Sequence, residues 1–120
     1  MGLTNGHRGL IVWQKSMDLV ERAYRVTKAF PTSERFGLTS QMRRAAVSIP
    51  SNIAEGHGRA TRGEYCNHLS IARGSLKELE TQLEIARRLQ LLDEQTFRDL
   101  DEMCAEISKM LTALRRSLAA

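Results

Sequence analysis

Proline is nearly absent from this chain, and glycine thins out along it. The 120 residues hold two prolines; from Glu64 to Ala120 there is none, and Gly74 is the only glycine there. Long helices can run through that half unbroken. Runs of β-branched and aromatic residues are also missing, which argues against strands. Aromatics are 5% of the chain and fall mostly on apolar stripes, leaving few to stack on bases. The two cysteines, Cys66 and Cys104, each stand alone in an apolar helical pattern. They read as small reduced core residues rather than a disulfide framework. The stretch MGLTNGHRGLIVWQK lacks the apolar segment of a secretory signal. Its position 6 is Gly, where a myristoylation signal needs Ser or Thr. No stretch approaches the roughly 18 apolar residues of a membrane span. A cytoplasmic chain with one small domain is expected.

What the sequence does contain is helical periodicity. Apolar residues are 42% of the chain, enough to fill a core. Residues 1–9, with Gly2, Gly6 and Gly9, read as a disordered leader, and residues 10–120 as a single domain. From Ile11 to Phe30, Trp13, Met17, Val20 and Tyr24 form one stripe; Ser16, Leu19, Ala23, Val26 and Phe30 form a second beside it. Pro31 ends that helix, because the residue before proline is pushed out of the α region. After the connection PTSERFGL, Thr39 or Ser40 can cap a second helix. Its Met42, Ala45, Ala46, Ile49 and Ile53 face one way. Pro50 removes a backbone donor inside it, so a kink is expected. Gly56-His57-Gly58 reads as a left-handed C-cap.

Thr61 and Glu64 match a capping box. A third helix follows, with Tyr65, Leu69, Ala72, Leu76, Leu79, Leu83 and Ala86 spaced alternately by four and three. Ile71, Ser75, Gln82, Ile85 and Leu89 make a second, partly polar seam on it. Asp93 caps a fourth helix whose stripe runs from Phe97 through Leu100, Cys104, Ile107, Leu111 and Leu114 to Leu118. The fold class is therefore all-α, an antiparallel up-down-up-down four-helix bundle. The first and third helices carry more apolar surface than one core stripe requires, which points to an oligomer.

Charge is uneven. Residues 1–92 carry 14 Lys and Arg against 8 Asp and Glu; residues 93–120 carry 4 against 6. The basic surface thus belongs to the first three-quarters of the chain.

The run from Leu38 to Arg59, LTSQMRRAAVSIPSNIAEGHGR, closely resembles the signature of the four helix bundle protein family. Founding members of that family are encoded by intervening sequences in bacterial 23S rRNA genes. Val12-Trp13-Gln14-Lys15, Phe30-Pro31 with Glu34, and Ile71 to Leu79 match it as well, so the resemblance spans about residues 10–118. It implies a four-helix bundle assembled as a homopentameric ring, with a poorly defined biochemical role. A more distant likeness is to the accessory protein of diversity-generating retroelements. That relative is a basic pentameric bundle working with a reverse transcriptase and nucleic acid.

Three motifs carry the candidate chemistry. The polar stripe Ser48, Ser51, Asn52 and Glu55 surrounds Pro50. It either serves backbone groups freed by Pro50 and a buried network, or lines a small-ligand or active site. A buried Glu55 would need Arg44, Arg59 or Arg73 as partner. The turn with Gly56, Gly58 and Gly63 joins two helices, so it is no dinucleotide fingerprint. With His57, Arg59 and Arg62 before a helix N-terminus, it is either an ordinary solvated turn or a phosphate site. Arg43-Arg44, Arg87-Arg88 and Arg115-Arg116 are solvated faces or helix-end charge complements when taken singly. Repeated around a ring, they favour a polyanion. The residues expected to contact nucleic acid are Arg43, Arg44, His57, Arg59, Arg62 and Arg73.

Enzyme signatures are missing. Glu64 and His68 are four apart with no second pair, unlike a di-iron bundle. Cys66 and His68 point to different sides of a helix. Asp99, Glu102 and Glu106 read as a solvated stripe, and the histidines have no nucleophile at a recognisable spacing. No metal and no cofactor are expected. The expectation is a non-enzymatic homo-oligomer binding RNA or another nucleic acid. The alternative is a protein-interaction scaffold or an accessory subunit of a reverse transcriptase.

Overall fold

The computed structural model describes residues 6–119. A short 3-10 turn, Gly6–Gly9, precedes four α-helices: α1 (Ile11–Lys28), α2 (Leu38–His57), α3 (Arg62–Arg88) and α4 (Glu94–Ala119). A second 3-10 turn, Thr32–Glu34, joins α1 to α2, and no strand occurs among the described residues. Each helix packs on its neighbour in the chain, and α1 closes the set against α4. The domain is an all-α four-helix bundle. Its longest extent is 43 Å, close to the roughly 40 Å of a helix as long as α3.

The expected leader is corrected over part of its length. Residues 1–5 lie outside the described residues, but Gly6–Gly9 are an ordered turn. The reason is local packing. His7 meets Trp13 edge-on with ring centroids 5.0 Å apart, and the Gln14 amide donates to the Arg8 carbonyl at 2.8 Å.

The core follows the apolar stripes, with one reversal. Met42, Ala45, Ala46, Ile49 and Ile53 of α2 are buried against Leu69, Ala72, Leu76, Leu79, Leu83 and Ala86 of α3. Leu100, Cys104, Ile107 and Leu111 supply α4's share. On α1 the two stripes are not equal. Leu19, Ala23 and Phe30 are buried with Ser16, whereas Met17 and Tyr24 of the other stripe are exposed. Ser16 enters the core at little cost because its hydroxyl donates to the Val12 carbonyl at 2.7 Å. Thr27 does the same toward Ala23 at 2.7 Å. The second seam of α3 is split: Ile71, Ile85 and Leu89 are exposed, whereas Gln82 is buried.

The start and the end of α2 depart from the sequence reading. The N-cap of α2 is Gly37, not Thr39 or Ser40; the Glu34 carboxylate, reaching forward from the preceding turn, accepts from Leu38 N–H at 3.0 Å. Pro50 is buried inside a helix that continues unbroken to His57. The end of α2 is not left-handed, because Gly58 stays in the right-handed region (φ −83°) with its N–H bonded back to Ala54 and Glu55. The left-handed position is Gln90 at the end of α3, with φ +60°. There Gln90 N–H bonds to Arg87 O at 3.0 Å and Leu91 N–H to Ala86 O at 2.9 Å, the paired bonds of a Schellman turn. Two starts agree with the reading: Thr61 Oγ1 accepts from Glu64 N–H at 3.1 Å, and Asp93 Oδ1 accepts from Thr96 N–H at 2.7 Å. That bond holds the Asp93 carboxyl below its usual range.

A side chain at φ +60° carries a steric cost that glycine escapes. Gln90→Gly should therefore stabilise the fold by about 1 kcal/mol. Denaturant unfolding at fixed protein concentration measures this, and a loss of stability would contradict the assignment of the turn.

Candidate nucleic-acid interface

The polar stripe of α2 meets α3 and is largely used up there. Ser48 Oγ and Ser75 Oγ share a hydrogen bond of 2.8 Å. The Asn52 amide donates to the Ser48 carbonyl at 2.9 Å and to its hydroxyl at 3.1 Å. That orientation turns Asn52 Oδ1 toward His68 Nδ1 at 3.1 Å, so the histidine donates from Nδ1. His68 Nε2 then lies 3.8 Å from Glu55 Oε2. Glu55 takes Arg59 as its partner at 2.7 Å; Arg44 and Arg73, the other candidates, do not pair with it. Glu55 is exposed, so this pair has little weight for stability. Ser48 also departs from the expected role beside Pro50, since its hydroxyl crosses to α3. Ser51 is exposed.

The glycine turn has a packing role that its position in sequence concealed. Gly56 is buried where α2 crosses α3. A Cβ there would stand 2.7 Å from His68 Cβ and 3.1 Å from Tyr65 Cδ1. His57 packs edge-on to Tyr65 with ring centroids 5.8 Å apart. Burial pushes the Tyr65 hydroxyl up from its usual range, and that hydroxyl has no hydrogen-bond partner.

The six expected contact residues fall into three places. Arg44 lies near the start of α2, whereas Arg59 is fifteen positions further on, roughly 20 Å along the helix. Arg43 is bound inward: its Nε donates to Thr27 Oγ1 at 2.9 Å, and its guanidinium sits 4.5 Å from the centre of the Tyr24 ring. His57, Arg59 and Arg62 share the turn between α2 and α3, all exposed. Arg73 lines a separate cavity of about 470 Å³ between α3 and α4 with Cys66, Arg115 and Arg116. Arg87 and Arg88 leave the set of free cations. Both pair with Glu84, at 2.8 and 3.0 Å, and Arg87 also reaches Glu94 at 3.6 Å and stacks over Phe97. The two arginines hold the Glu84 carboxyl below its usual range.

Sequence reasoning missed Arg35 and Phe36. Phe36 is 88% exposed and lies beside Arg35, whose guanidinium is 5.3 Å from its ring centre. With Tyr24, Arg43 and Arg44 they line a groove of about 610 Å³. The signal available was the apolar Phe36 in an otherwise polar connection.

Among the described residues no group of three or more His, Cys, Asp or Glu is placed to hold a metal ion, and no helix is long and apolar enough to cross a membrane. Both cysteines are unbridged. Burial pushes the Cys104 thiol up to about 12, which removes thiolate chemistry at neutral pH.

The sequence pattern of the family described as 23S rRNA-intervening sequence protein matches residues 8–113. The chain belongs to that family. A crystal structure from Bacteroides thetaiotaomicron VPI-5482, of a protein of unknown function from the S23 ribosomal protein family, has a similar fold. It superposes with a TM-score of 0.82 at 25% identity, covering 88% of this chain and 98% of that one. No curated protein matches the chain. Family membership agrees with the Leu38–Arg59 signature, which the structure places on α2 and the turn that packs on α3.

The close approach at Gly56 gives a direct test. Gly56→Ala must push His68 Cβ or the α3 backbone away and should cost about 1–3 kcal/mol. Gly74, with nothing within 4 Å of an added Cβ, is the control: Gly74→Ala should stabilise by about 0.5–1 kcal/mol. Thermal unfolding of both variants checks the opposite signs.

Proposed function

We propose that this chain is a non-enzymatic homo-oligomer, a pentameric ring of antiparallel up-down-up-down bundles, that binds RNA or another nucleic acid through its arginines. The observation that carries the reading is the surplus of exposed arginine left after pairing. Lys15, Arg22, Arg25, Arg59, Lys77, Arg87 and Arg88 each have a carboxylate partner. Among the described residues Arg35, Arg44, Arg62 and Arg73 form no ion pair, and all four are exposed. A net charge of +4 per chain becomes +20 in a ring of five. Weak phosphate contacts repeated by symmetry add along a backbone, without reading its sequence.

The ring is supported by apolar side chains that one bundle leaves open. Met17 on α1, and Ile71 and Ile85 on α3, are exposed. The connections between packed neighbours are short, which supports the antiparallel order. The same open side chains favour a second reading, a scaffold or accessory subunit that docks a protein such as a reverse transcriptase.

Light scattering should give a mass near five times 13.5 kDa; a monomer at micromolar concentration contradicts the ring. In a fluorescence binding assay, RNA affinity should fall steeply with salt. Changing Arg59 and Arg62 to Glu should weaken binding and flatten the salt slope with the oligomer intact. The same change at Arg115 and Arg116, beside the acidic stretch of α4, should matter less. Absence of binding by wild type at low salt would move the scaffold reading to first place.

A further inference from the structure

The groove between the end of α1 and the start of α2 has a chemistry that the arginine count alone does not describe. Its lining combines two aromatic rings, Tyr24 and Phe36, with three arginines, Arg35, Arg43 and Arg44, and contains no carboxylate. Tyr24, Phe36 and Val47 are exposed together along this groove, a contiguous apolar patch rather than a scattered residue. Phe36 is 88% exposed, so at least one face of its ring is open to solvent. Glu34, the nearest acid in the chain, is turned away to cap α2 through Leu38 N–H. Every charged side chain in the lining is therefore an arginine.

From this juxtaposition we infer that the groove is a binding site for single-stranded RNA, with an unpaired base stacked on Phe36 and its flanking phosphates held by Arg35 and Arg44. The inference rests on the nucleic-acid reading above and deepens it by naming the strand state. A flat π-face accepts any base, but only a base outside a duplex has its face free. Arg43 cannot serve the phosphates equally, because Thr27 and Tyr24 already hold it. Its part is to keep the Tyr24 ring in place as a wall. The hydroxyl of Ser40 at the same lining offers a partner to a ribose 2′-hydroxyl, which deoxyribose lacks. Charge complementarity favours this occupant: a lining with three arginines and no carboxylate matches a phosphate backbone, whereas the same groove on another copy would repel it.

The test uses the intact protein and three fluorescent probes of one sequence: a single-stranded RNA of about twelve nucleotides, its DNA counterpart, and the RNA duplex. Phe36→Ala should weaken single-stranded RNA binding by about tenfold and leave duplex binding unchanged. Phe36→Trp should retain the affinity, and its added fluorescence should be quenched on binding. The DNA strand should bind more weakly than the RNA strand. If wild type binds no probe at low salt, the nucleic-acid reading itself fails. If wild type binds but Phe36→Ala leaves the single-strand affinity unaltered, the groove assignment fails alone. Equal affinity for DNA overturns the choice of RNA. A changed mass of Phe36→Ala in light scattering, with binding intact, assigns the groove to a protein contact and overturns the proposal.

Discussion

The distance between α2 and α3 is set where Gly56 crosses His68. No side chain larger than hydrogen fits there, since a Cβ would stand 2.7 Å from His68 Cβ. Small residues continue the approach along the core, with Ala45, Ala46 and Ala72 fully or almost fully buried. Two helices that meet this closely bring their short polar side chains into direct hydrogen-bonding range. Ser48 with Ser75 and Asn52 with His68 follow from that geometry. Pairs of this kind fix register more than they add stability, because each replaces a hydrogen bond to water. They fix which edge of α2 faces out, and hence where Arg44 and Val47 emerge.

The cations of the molecule divide by what holds them. Near the α3–α4 turn, Arg87 and Arg88 are locked to Glu84, and Arg87 lies over Phe97. At the α1–α2 end, Arg43 spends its donors on Thr27 and the Tyr24 carbonyl. Arg43 and Arg87 thereby tie neighbouring helices together, while Arg88 pairs within α3. Among the described residues Arg35, Arg44, Arg62 and Arg73 form no ion pair; Arg35 and Arg44 share the α1–α2 groove, whereas Arg62 and Arg73 emerge elsewhere on the surface. A surface of this kind suits a long flexible polyanion better than a compact one, since no single pocket gathers all four charges.

Much of the fold was legible in the sequence, because burial of a helix leaves a spacing of three and four that few other demands imitate. The stripes of α2, α3 and α4 are buried nearly as spaced. On α1 the pattern was ambiguous: two adjacent stripes have similar apolar content, and only packing shows that Leu19 and Ala23 turn inward while Met17 and Tyr24 do not. Glycine was misread for a similar reason. Gly56 looked like a cap because it precedes His57-Gly58, but its role depends on His68 twelve positions away, and no local rule reports a crossing helix. Gln90 took the left-handed position that sequence preference would give to glycine. The candidate site was the least legible part. Arginines that looked equivalent in the chain differ by whether a carboxylate or an aromatic ring happens to face them, and Arg35 with Phe36 was passed over as connection.

The Asn52–His68 contact couples α2 to α3. A double-mutant cycle on stability, with Asn52→Ala, His68→Ala and the pair, measured at one protein concentration, tests it most directly. The account predicts a coupling of about 1 kcal/mol. Additivity within about 0.3 kcal/mol would contradict it, because the two side chains would then be held in place independently.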